Sequence, residues 1–527
     1  MAGSKHHIRL LFLHSATWFG KSATIMRIHP LRYFLLTLSI LVLASTRTEA
    51  QIGFFGVNPG KLFVVNDTAD SFDANPGDRV CADSNGRCTL RAAIQEVDAV
   101  AVVINRDVII FSIQQPSEIN LTLGELAITG RRFVSIVGPG ARRLTVRRSN
   151  AAGTPNFRIF NLSGSQSIHA IRGLTIAGGD PGNEPDGGGI KVGSGVNLTL
   201  TEVTITGNAA TSGGGVANMG TLEVTRSLFS ANSAAGQGGA IHNAQGGSVR
   251  ISNTTITGSS ALMGGGIYNE GGLTLANDTI SHNMAATAAS GIFNGSSGTV
   301  SIINTIVGAS GATAVTNLSG AFTSFGNNLI TDARNSTGFT AGNLADQVSN
   351  NDAIDARLGP LTDNGGQTNT RALLPGSPAI NAGNGCVFNG QCNLPQGFPP
   401  GLPLFITSDQ RRFSRRSFVV FEGLGGGGID IGAFEAGANQ SSSAGSFGAF
   451  GIPGFSPAGR SVGTASLRDV ITGEKTFSSI NPFGSFRFNQ PRGGVFNPIE
   501  RSGIYVLEFN TKRSPQPGPQ VIDLEPF

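Results

Sequence analysis

Residues 238–269 read GGAIHNAQGGSVRISNTTITGSSALMGGGIYN, and this order of residue types recurs throughout the stretch from Ile171 to Asp332. Each copy carries a glycine-rich signature that ends in an aliphatic residue, and these aliphatic anchors are spaced 26, 25, 26 and 25 residues apart. The anchors are Ile190, Val216, Ile241, Ile267 and Ile292. A fixed period of this size is typical of a stacked-repeat architecture.

The residues that fill each period predict the type of repeat. Apolar stretches of three to five residues, rich in Ile, Val and Thr, alternate with turns of Gly, Asn and Ser, as in Val203–Ile205 and Thr254–Ile256. These stretches are typical of short strands, and no helical stripe of apolar residues interrupts them. We therefore predict an all-β solenoid, a parallel β-helix of roughly eight to ten coils.

An asparagine follows the aliphatic anchor by two positions in four copies. In stacked coils these side chains would lie above one another, and stacked amides hydrogen-bond along a cross-β assembly. We therefore predict a structural ladder inside the solenoid, formed by Asn218, Asn243, Asn269 and Asn294.

Composition argues against a charge-driven nucleic-acid partner. The chain has 75 Gly among 527 residues, and only 13% of its residues are charged. Removing the six basic residues and one acidic residue of positions 1–50 from the totals of 37 and 33 leaves 31 basic and 32 acidic groups. The remaining net charge of −1 gives no global electrostatic basis for nucleic-acid binding.

The first 50 residues predict a secretory signal peptide. A basic start with Arg27 and Arg32 precedes an apolar run from Phe34 to Ala44, and small residues around Ala50 follow. This order is typical of a cleavable leader, and translation starting at Met26 would fit it equally. The apolar run is too short to span a membrane, so we expect a secreted or cell-surface protein without a transmembrane helix.

Four cysteines form two close pairs, Cys81 with Cys88 and Cys386 with Cys392. An even count after a signal peptide favours two local disulfides. Zinc binding is the alternative interpretation, but it requires further Cys or His residues at matched spacings.

The region before the repeats predicts an N-terminal cap over residues 51–106. Thr89 to Val97 is the best helix candidate, because Leu90, Ala93, Ile94 and Val97 share one face. A helix at this point would shield the first coil from edge pairing. The β-helix itself is predicted over residues 107–345.

Two motifs resemble those of bacterial surface β-helix proteins. CTLRAAIQE, Cys88 to Glu96, resembles the CSLREA motif, with Thr in place of Ser and Ala92 in place of Glu. Residues 360–383, 408–411 and 430–435 are similar to the choice-of-anchor Q region, which implies a closing region over residues 346–435. The resemblance spans residues 66–435 and implies an extracellular right-handed β-helix akin to pectin lyases and chlamydial polymorphic membrane proteins. It implies no particular activity.

The tail is predicted to be separate from the solenoid. Residues 436–458 are rich in Gly, Ser and Ala, which is typical of a flexible linker. Residues 459–527 alternate strands with turns such as NPFG and predict a small β-sandwich. This pattern resembles carboxypeptidase regulatory-like, transthyretin-type domains, although the insert from Asn489 to Arg501 departs from their usual length.

A lyase or hydrolase on this fold would need converging carboxylates on neighbouring coils. Between residues 187 and 308 the acidic residues are Glu202, Glu223, Glu270 and Asp278, and they flank different strand positions. We therefore predict no catalytic residues and no cofactor or metal. A calcium site near Asp180, Glu184 and Asp186 is one interpretation of the loop DPGNEPD, and a proline- and glycine-rich turn is the other.

Two sets of residues are candidates for glycan binding. One outward-facing strand position forms a column along the coils, with the residues Lys191, Ala217, His242, Tyr268 and Phe293. Its aromatic members, His242, Tyr268 and Phe293, form either a carbohydrate-binding strip or an exposed side-chain stack. An arginine run, of which Arg142, Arg143, Arg147 and Arg148 share one predicted strand, forms either a basic face or solvated edge protection. The full run is Arg131, Arg132, Arg142, Arg143, Arg147, Arg148, Arg158 and Arg172, and a second cluster with both interpretations is Arg411, Arg412, Arg415 and Arg416.

The sequence thus favours a non-catalytic, secreted or cell-surface β-helix protein that functions in adhesion or in envelope or glycan interaction, with an acidic polysaccharide or an envelope glycan as the candidate partner. Two alternatives remain, a polysaccharide lyase or glycoside hydrolase on a pectin-lyase-like fold and a structural surface spacer. The sequence leaves the oligomeric state undetermined.

Overall fold

The structure is a computed structural model. It describes residues 60–99, 106–130, 132–182, 186–308, 315–339, 343–389, 406–415 and 428–436, together with four strands between residues 464 and 510. The chain divides into two compact units, Met1–Val57 and Asn58–Phe527, and all described residues belong to the second unit. The predicted leader, residues 1–50, and the predicted linker beyond Ala436 lie outside the described residues.

Successive coils share three parallel sheets, and four of the coils add a strand to a fourth sheet. The strands of each sheet lie parallel from one coil to the next. The predicted all-β parallel β-helix is therefore confirmed. Sheet 1 contains Leu62–Val65, Arg106–Phe111, Phe133–Val137, Ser167–Arg172, Val196–Thr201, Thr221–Thr225, Ser248–Ser252, Gly272–Ala276, Thr299–Ile303 and Thr323–Ser324. Sheet 2 contains Ser117–Leu121, Leu144–Arg148, Thr175–Ala177, Thr204–Thr206, Leu228–Ser230, Thr255–Thr257, Thr279–Ser281, Ile306–Gly308, Leu329–Ile330 and Gln347–Val348.

The other two sheets complete the coil. Sheet 3 contains Ala209–Ser212, Ser233–Gln237, Ser260–Met263 and Met284–Ala288. Sheet 4 contains Leu126–Ile128, Phe160–Leu162, Ile190–Val192, Val216–Asn218, Ile241–Asn243, Ile267–Asn269, Ile292–Asn294, Leu318–Ala321 and Ser336–Thr337.

The core is built from columns of aliphatic side chains that the strand register places above one another. In sheet 1 one inward column consists of register partners on successive strands, each at most 2% exposed. Its members are Leu198, Leu222, Val249, Leu273 and Val300. Because a single coil buries little apolar surface, stacking is what removes these side chains from water, at roughly 2 kcal/mol for each buried side chain.

The glycine signatures mark the sharp return of the chain from sheet 3 to sheet 4. Gly264 has a φ of 62°, and a Cβ atom at this position would lie 2.4 Å from the carbonyl oxygen of Ile267. Neither the conformation nor the space suits a side chain, so glycine is required there.

Asparagine amides form a continuous ladder along sheet 4. The Nδ2 of Asn218 donates to Oδ1 of Asn243 at 2.8 Å, Asn243 donates to Asn269 at 2.7 Å, and Asn269 donates to Asn294 at 2.8 Å. All four side chains are at most 4% exposed. The ladder satisfies amide groups that burial would otherwise leave without partners.

Two further polar ladders run along the corners of the coils, and the sequence interpretation missed both. At the corner between sheets 2 and 3, the backbone amide of one residue donates to the side-chain oxygen of the equivalent residue in the next coil. The residues of this ladder are Asn208, Asn232, Ser259 and Asn283. Ser227, Thr254, Asp278, Thr305 and Asn328 form a ladder of the same kind between sheets 1 and 2. The turn sequences TGN, SAN and SHN carried the signal for the first of these ladders.

A helix forms where the sequence predicted one, before the repeats. Helix α1, Leu90–Ala99, lies against the first coil, and its N-terminus is capped by Thr89, whose Oγ1 accepts a hydrogen bond of 3.1 Å from the amide of Ala92. At the other end Arg132 donates to the carbonyl oxygen of Val97 at 3.0 Å. Both ends of the helix are therefore satisfied by side chains.

The cap also holds the predicted Cys81–Cys88 disulfide, with a Cα–Cα distance of 5.0 Å. Cys386 is disulfide-bonded as well. Its predicted partner, Cys392, lies outside the described residues.

The closing region, residues 346–435, runs back along the outside of the solenoid. The amide of Asn384 donates to Asn304, the carbonyl oxygen of Ser408 accepts from Asn253, and Arg412 pairs with Glu202. The contacts of Asn384, Ser408 and Arg412 fall on successively earlier coils, whereas Asp363, earlier in the region, already pairs with Arg142. The region therefore passes along the solenoid more than once. Its regular elements are the antiparallel strands Leu358–Thr362 and Thr370–Leu373 and the short helix α2, Cys386–Asn389, and a single 3₁₀ turn, Asn343–Ala345, precedes the region.

Arg415 attaches the closing region to the coils from a fully buried position. Its Nη2 donates to Oδ1 of Asn253 at 2.7 Å, and its Nη1 pairs with Glu435 at 3.1 Å. Burial raises the pKa of Glu435 to about 8, and the charge of Arg415 opposes that shift. Arg411 pairs with buried Asp409, and Arg416 lies outside the described residues.

The C-terminal strands form one four-stranded antiparallel sheet, in the order Phe486–Phe488, Lys475–Ile480, Thr464–Asp469 and Tyr505–Asn510. The prediction for this region was a small β-sandwich, and the four described strands account for a single sheet. Across the described parts of the chain, no helix is long and apolar enough to cross a membrane.

Candidate functional site

The three aromatic residues of the predicted strip stack on one another along the outward side of sheet 4. His242, Tyr268 and Phe293 are register partners on successive strands. The rings of Tyr268 and Phe293 are 4.9 Å apart and within 2° of parallel, and those of His242 and Tyr268 are 5.5 Å apart at 49°. Because the ring faces contact each other and Tyr268 is only 5% exposed, the column offers mainly ring edges to a ligand.

The polar atoms of this column are also engaged or buried. The Tyr268 hydroxyl donates to Glu270 at 3.1 Å, and burial together with Glu270 raises the pKa of Tyr268. Burial lowers the pKa of His242. The column continues through Ala217, which is 2% exposed, to Lys191.

The long arginine run does not form one continuous face. Arg132 caps helix α1, Arg158 pairs with Glu125 at 3.1 Å, and Arg172 lies 3.7 Å from Glu202. These three side chains hold the cap and the coils together. Arg131 lies outside the described residues.

The four arginines selected for glycan binding lie on or next to the sheet 2 strand Leu144–Arg148. Arg142 pairs with Asp363 of the closing region, and Arg147 lies 4.0 Å from Glu118. Arg148 donates to the carbonyl oxygen of Gly178 at 3.3 Å, and Arg143 is exposed. The structure therefore groups these four residues at one surface, although two of them have acidic partners.

The carboxylates of the coils do not converge. Glu202 is 3% exposed and contacts Arg172, Arg226 and Arg412. Asp278 is fully buried and accepts hydrogen bonds from the amides of Thr254 and Ala276, and burial raises its pKa.

The two remaining coil carboxylates, those of Glu223 and Glu270, also have no acidic residue beside them in the described neighbouring strands. The register partners of Glu223 in adjoining coils are Thr199 and Arg250. Glu270 follows Asn269 of the amide ladder and accepts the Tyr268 hydroxyl. Among the described coils, these acids therefore lack the paired arrangement that glycoside chemistry requires.

One acidic group in the cap has the spacing of a cation site. Carboxylate oxygens of Asp73, Asp78 and Glu96 lie within 4.8 Å of one another. Glu96, however, accepts a hydrogen bond of 2.7 Å from the amide of Gly77, and Asp73 accepts one of 3.0 Å from the amide of Ala82. These carboxylate oxygens therefore accept hydrogen bonds from backbone amides of the surrounding turns. Burial raises the pKa of Glu96.

The loop chosen for calcium has the hydrogen bonding of a turn. Asp180 Oδ1 accepts a hydrogen bond of 3.0 Å from the amide of Gly182, as Asx turns do. Asp186 forms a parallel β-bridge with Ser212 in the next coil. Glu184 lies outside the described residues.

An open cleft lies between the solenoid and the closing region, and the sequence interpretation did not identify it. Its volume is about 410 Å³. The cleft is lined by His282, Asp355, Arg357, Leu358, Leu374 and Pro375. Burial and the nearby charge of Arg371 lower the pKa of His282.

The sequence signal for this cleft was the turn SHN. His282 occupies a corner position at which earlier coils carry Gly or Ala, so a bulky residue there is a departure from the repeat. The closing-region residues could not be assigned to the same site, because nothing local relates position 282 to positions 355–375.

No protein-family model matches the chain, and no curated protein matches its sequence. The fold is similar to that in a crystal structure of pectate lyase Pel9A, with 14% sequence identity, a TM-score of 0.37, and coverage of 72% of this chain and 97% of that chain. A likeness at this level concerns the β-helical architecture and assigns no role to any residue of this chain.

Proposed function

We propose that this protein is a secreted or cell-surface β-helix protein that binds an acidic polysaccharide or envelope glycan without cleaving it. The solenoid provides a long, rigid wall. The proposed binding surface consists of Arg142, Arg143, Arg147 and Arg148, and the aromatic column has a structural role.

The proposal rests mainly on one observation: the carboxylates of the coils are engaged in structural contacts. Glu202 neutralises arginines, and Asp278 bonds backbone amides. A lyase or hydrolase would need such groups exposed to substrate and facing each other. Their structural use favours binding over cleavage.

The arginine surface supports an acidic partner. Guanidinium groups bind carboxylates and sulfates with paired hydrogen bonds. The exposed Arg142 and Arg143 lie directly before the strand that carries Arg147 and Arg148. Two acidic neighbours, Asp363 and Glu118, leave this surface with more basic than acidic groups among those described.

Our proposal extends to the motifs at the two ends of the chain. The CSLREA-like and choice-of-anchor-like segments, the signal peptide and the carboxypeptidase regulatory-like tail together suit an exported protein of the bacterial envelope. The cap disulfide agrees with an oxidising compartment.

A glycan-array screen of the full-length chain, run beside lyase and reducing-sugar assays, tests this proposal. We expect binding to uronate-rich or sulfated glycans and no product in either assay. The quadruple change Arg142→Ser, Arg143→Ser, Arg147→Ser and Arg148→Ser should abolish the signal, whereas Arg250→Ser on sheet 1 should not. Equal binding by the quadruple variant and the wild type would contradict the assignment of the surface.

A further inference from the structure

A cleft between a solenoid corner and the closing region combines a guanidinium, a carboxylate, an imidazole and apolar side chains. Its volume of about 410 Å³ falls within the range of sites for small ligands. We propose that this cleft binds one uronate residue of an acidic polysaccharide. The inference rests on the function proposed above and adds a second, specific contact to it.

His282 has a left-handed backbone conformation, which normally favours glycine. The equivalent corner residues of the preceding coils are Gly178, Gly207, Ala231 and Gly258, and all have a positive φ. His282 has a φ of 57°. A residue with a Cβ atom is strained in this conformation, whereas glycine is not. The coil accepts that strain, and the imidazole lies exposed at the cleft.

Arg357 is held in place from the opposite side of the cleft. It too has a positive φ, of 49°, and its amide donates to Oδ1 of Asp355 at 2.8 Å. Its Nη1 donates to the carbonyl oxygen of Pro375 at 3.1 Å. A Cβ atom at Gly376 would lie 2.6 Å from this nitrogen, so the glycine provides the space that the guanidinium occupies. A guanidinium carries five N–H donors, so this contact leaves others for a ligand.

The remaining lining decides the class of ligand. Leu358, Leu374 and Pro375 form an apolar side, and Leu374 is 43% exposed. The C–H face of a sugar ring suits such a side, while hydroxyl groups can donate to Asp355 and bond to His282. A carboxylate on the ring would bind Arg357. A uronate residue would contact all of these groups. A neutral sugar would leave Arg357 without a carboxylate partner. A compact polyanion would leave the apolar side chains uncovered and would be repelled by Asp355.

Calorimetric titration of the full-length chain with digalacturonate tests the inference, with lactose as the uncharged probe. We expect digalacturonate to bind and lactose to bind at least about tenfold more weakly, because a charge-assisted hydrogen bond is lost. Arg357→Gln should weaken digalacturonate binding by about tenfold or more for the same reason.

His282→Gly separates binding from folding. This change restores the residue type that other coils use, so the melting temperature should not fall while digalacturonate binding weakens. Ala231→Gly is the matched control, since it makes the same kind of change at the same corner two coils earlier and should leave binding intact.

The outcomes distinguish this inference from the function on which it rests. Wild-type affinity in both Arg357→Gln and His282→Gly would overturn the cleft assignment, as would binding of polygalacturonate without binding of digalacturonate. In both cases the proposed function would stand. Failure of the wild type to bind any acidic polymer would overturn both proposals.

Discussion

Asn253 and Arg415 lie 162 positions apart in the sequence, yet Oδ1 of Asn253 accepts a hydrogen bond of 2.7 Å from Nη2 of Arg415. Both groups are buried, and the guanidinium also pairs with Glu435. A single side chain thus joins a coil corner to the closing region that runs back over it.

Replacing Arg415 with Met should detach the closing region. The change leaves Glu435 and Asn253 without their buried partner, which costs about 3–5 kcal/mol when a buried ion pair is broken. Limited proteolysis should then cleave within residues 406–436 faster than in the wild type, and urea unfolding should begin earlier. Arg106→Met, at an exposed position on sheet 1, is the control and should change neither. Unchanged proteolysis in the Arg415 variant would mean that other contacts hold the region.

Replacing Asn243 with Leu should interrupt the amide ladder. Asn218 would lose its acceptor and Asn269 its donor, and leaving buried polar groups unpaired costs about 1–3 kcal/mol. Chemical unfolding measures the loss. Asn197→Leu, on the exposed side of sheet 1, should change stability by less than about 0.5 kcal/mol. Equal stability of both variants would show that the ladder contributes nothing.

His169 should make the protein sensitive to acid. Its imidazole is 2% exposed, neither ring nitrogen has a hydrogen-bond partner in the structure, and burial lowers its pKa from 6.5 to about 4, against the opposing charge of Asp98. Because the unfolded state binds the proton more readily, stability is lost as pH falls from about 6.5 to 4, by roughly 3 kcal/mol at most.

Unfolding midpoints measured between pH 7.5 and pH 4 check this effect. His169→Leu should keep the stability that the wild type loses over that range, because it removes the group that must stay neutral. His282→Leu, at an exposed corner, is the comparison; because burial and Arg371 also lower the pKa of His282, this change should remove some acid sensitivity, but less than His169→Leu does. Parallel pH profiles for the wild type and the His169 variant would contradict the assignment.

The four cysteines should yield no free thiol. Cys81 and Cys88 are bonded and Cys386 is bonded as well, so alkylation of the unfolded, non-reduced chain should add no mass. The Cys81–Cys88 bridge closes a short loop, and its removal by paired Ser substitutions should cost about 2–3 kcal/mol or less. Alkylation without prior reduction would contradict the pairing.

The repeat made the solenoid predictable. The aliphatic anchor and the following asparagine recur with one period, so both the core column at Ile241 and the amide column at Asn243 follow from spacing alone. The helix of the cap was predictable for a similar reason, because Leu90 and Ile94 share a helical face.

The course of the closing region was not predictable, because it depends on contacts across long separations in the sequence. Nothing near Arg412 indicates that its partner is Glu202, 210 positions earlier. The arginine run illustrates the same limit. Arg132 and Arg158 resemble their exposed neighbours in sequence, but the fold uses them to cap a helix and to pair with Glu125.

The repeat period predicted that the three aromatic residues would lie above one another, but it could not predict how far their rings are exposed. Register alone places Tyr268 between His242 and Phe293. Whether the rings turn their faces to solvent or to each other depends on side-chain packing across three coils. In the structure the rings of Tyr268 and Phe293 face each other, 4.9 Å apart.

Titration of polygalacturonate into the full-length chain at two salt concentrations, followed by measurement of the polymer's chain length, tests the central claim most directly. We predict binding that weakens steeply as salt rises, because exposed charges are screened within about 8 Å at physiological ionic strength. We also predict that the polymer keeps its length. Absence of binding, binding that ignores salt, or a shortened polymer would contradict the account of a non-cleaving glycan-binding wall.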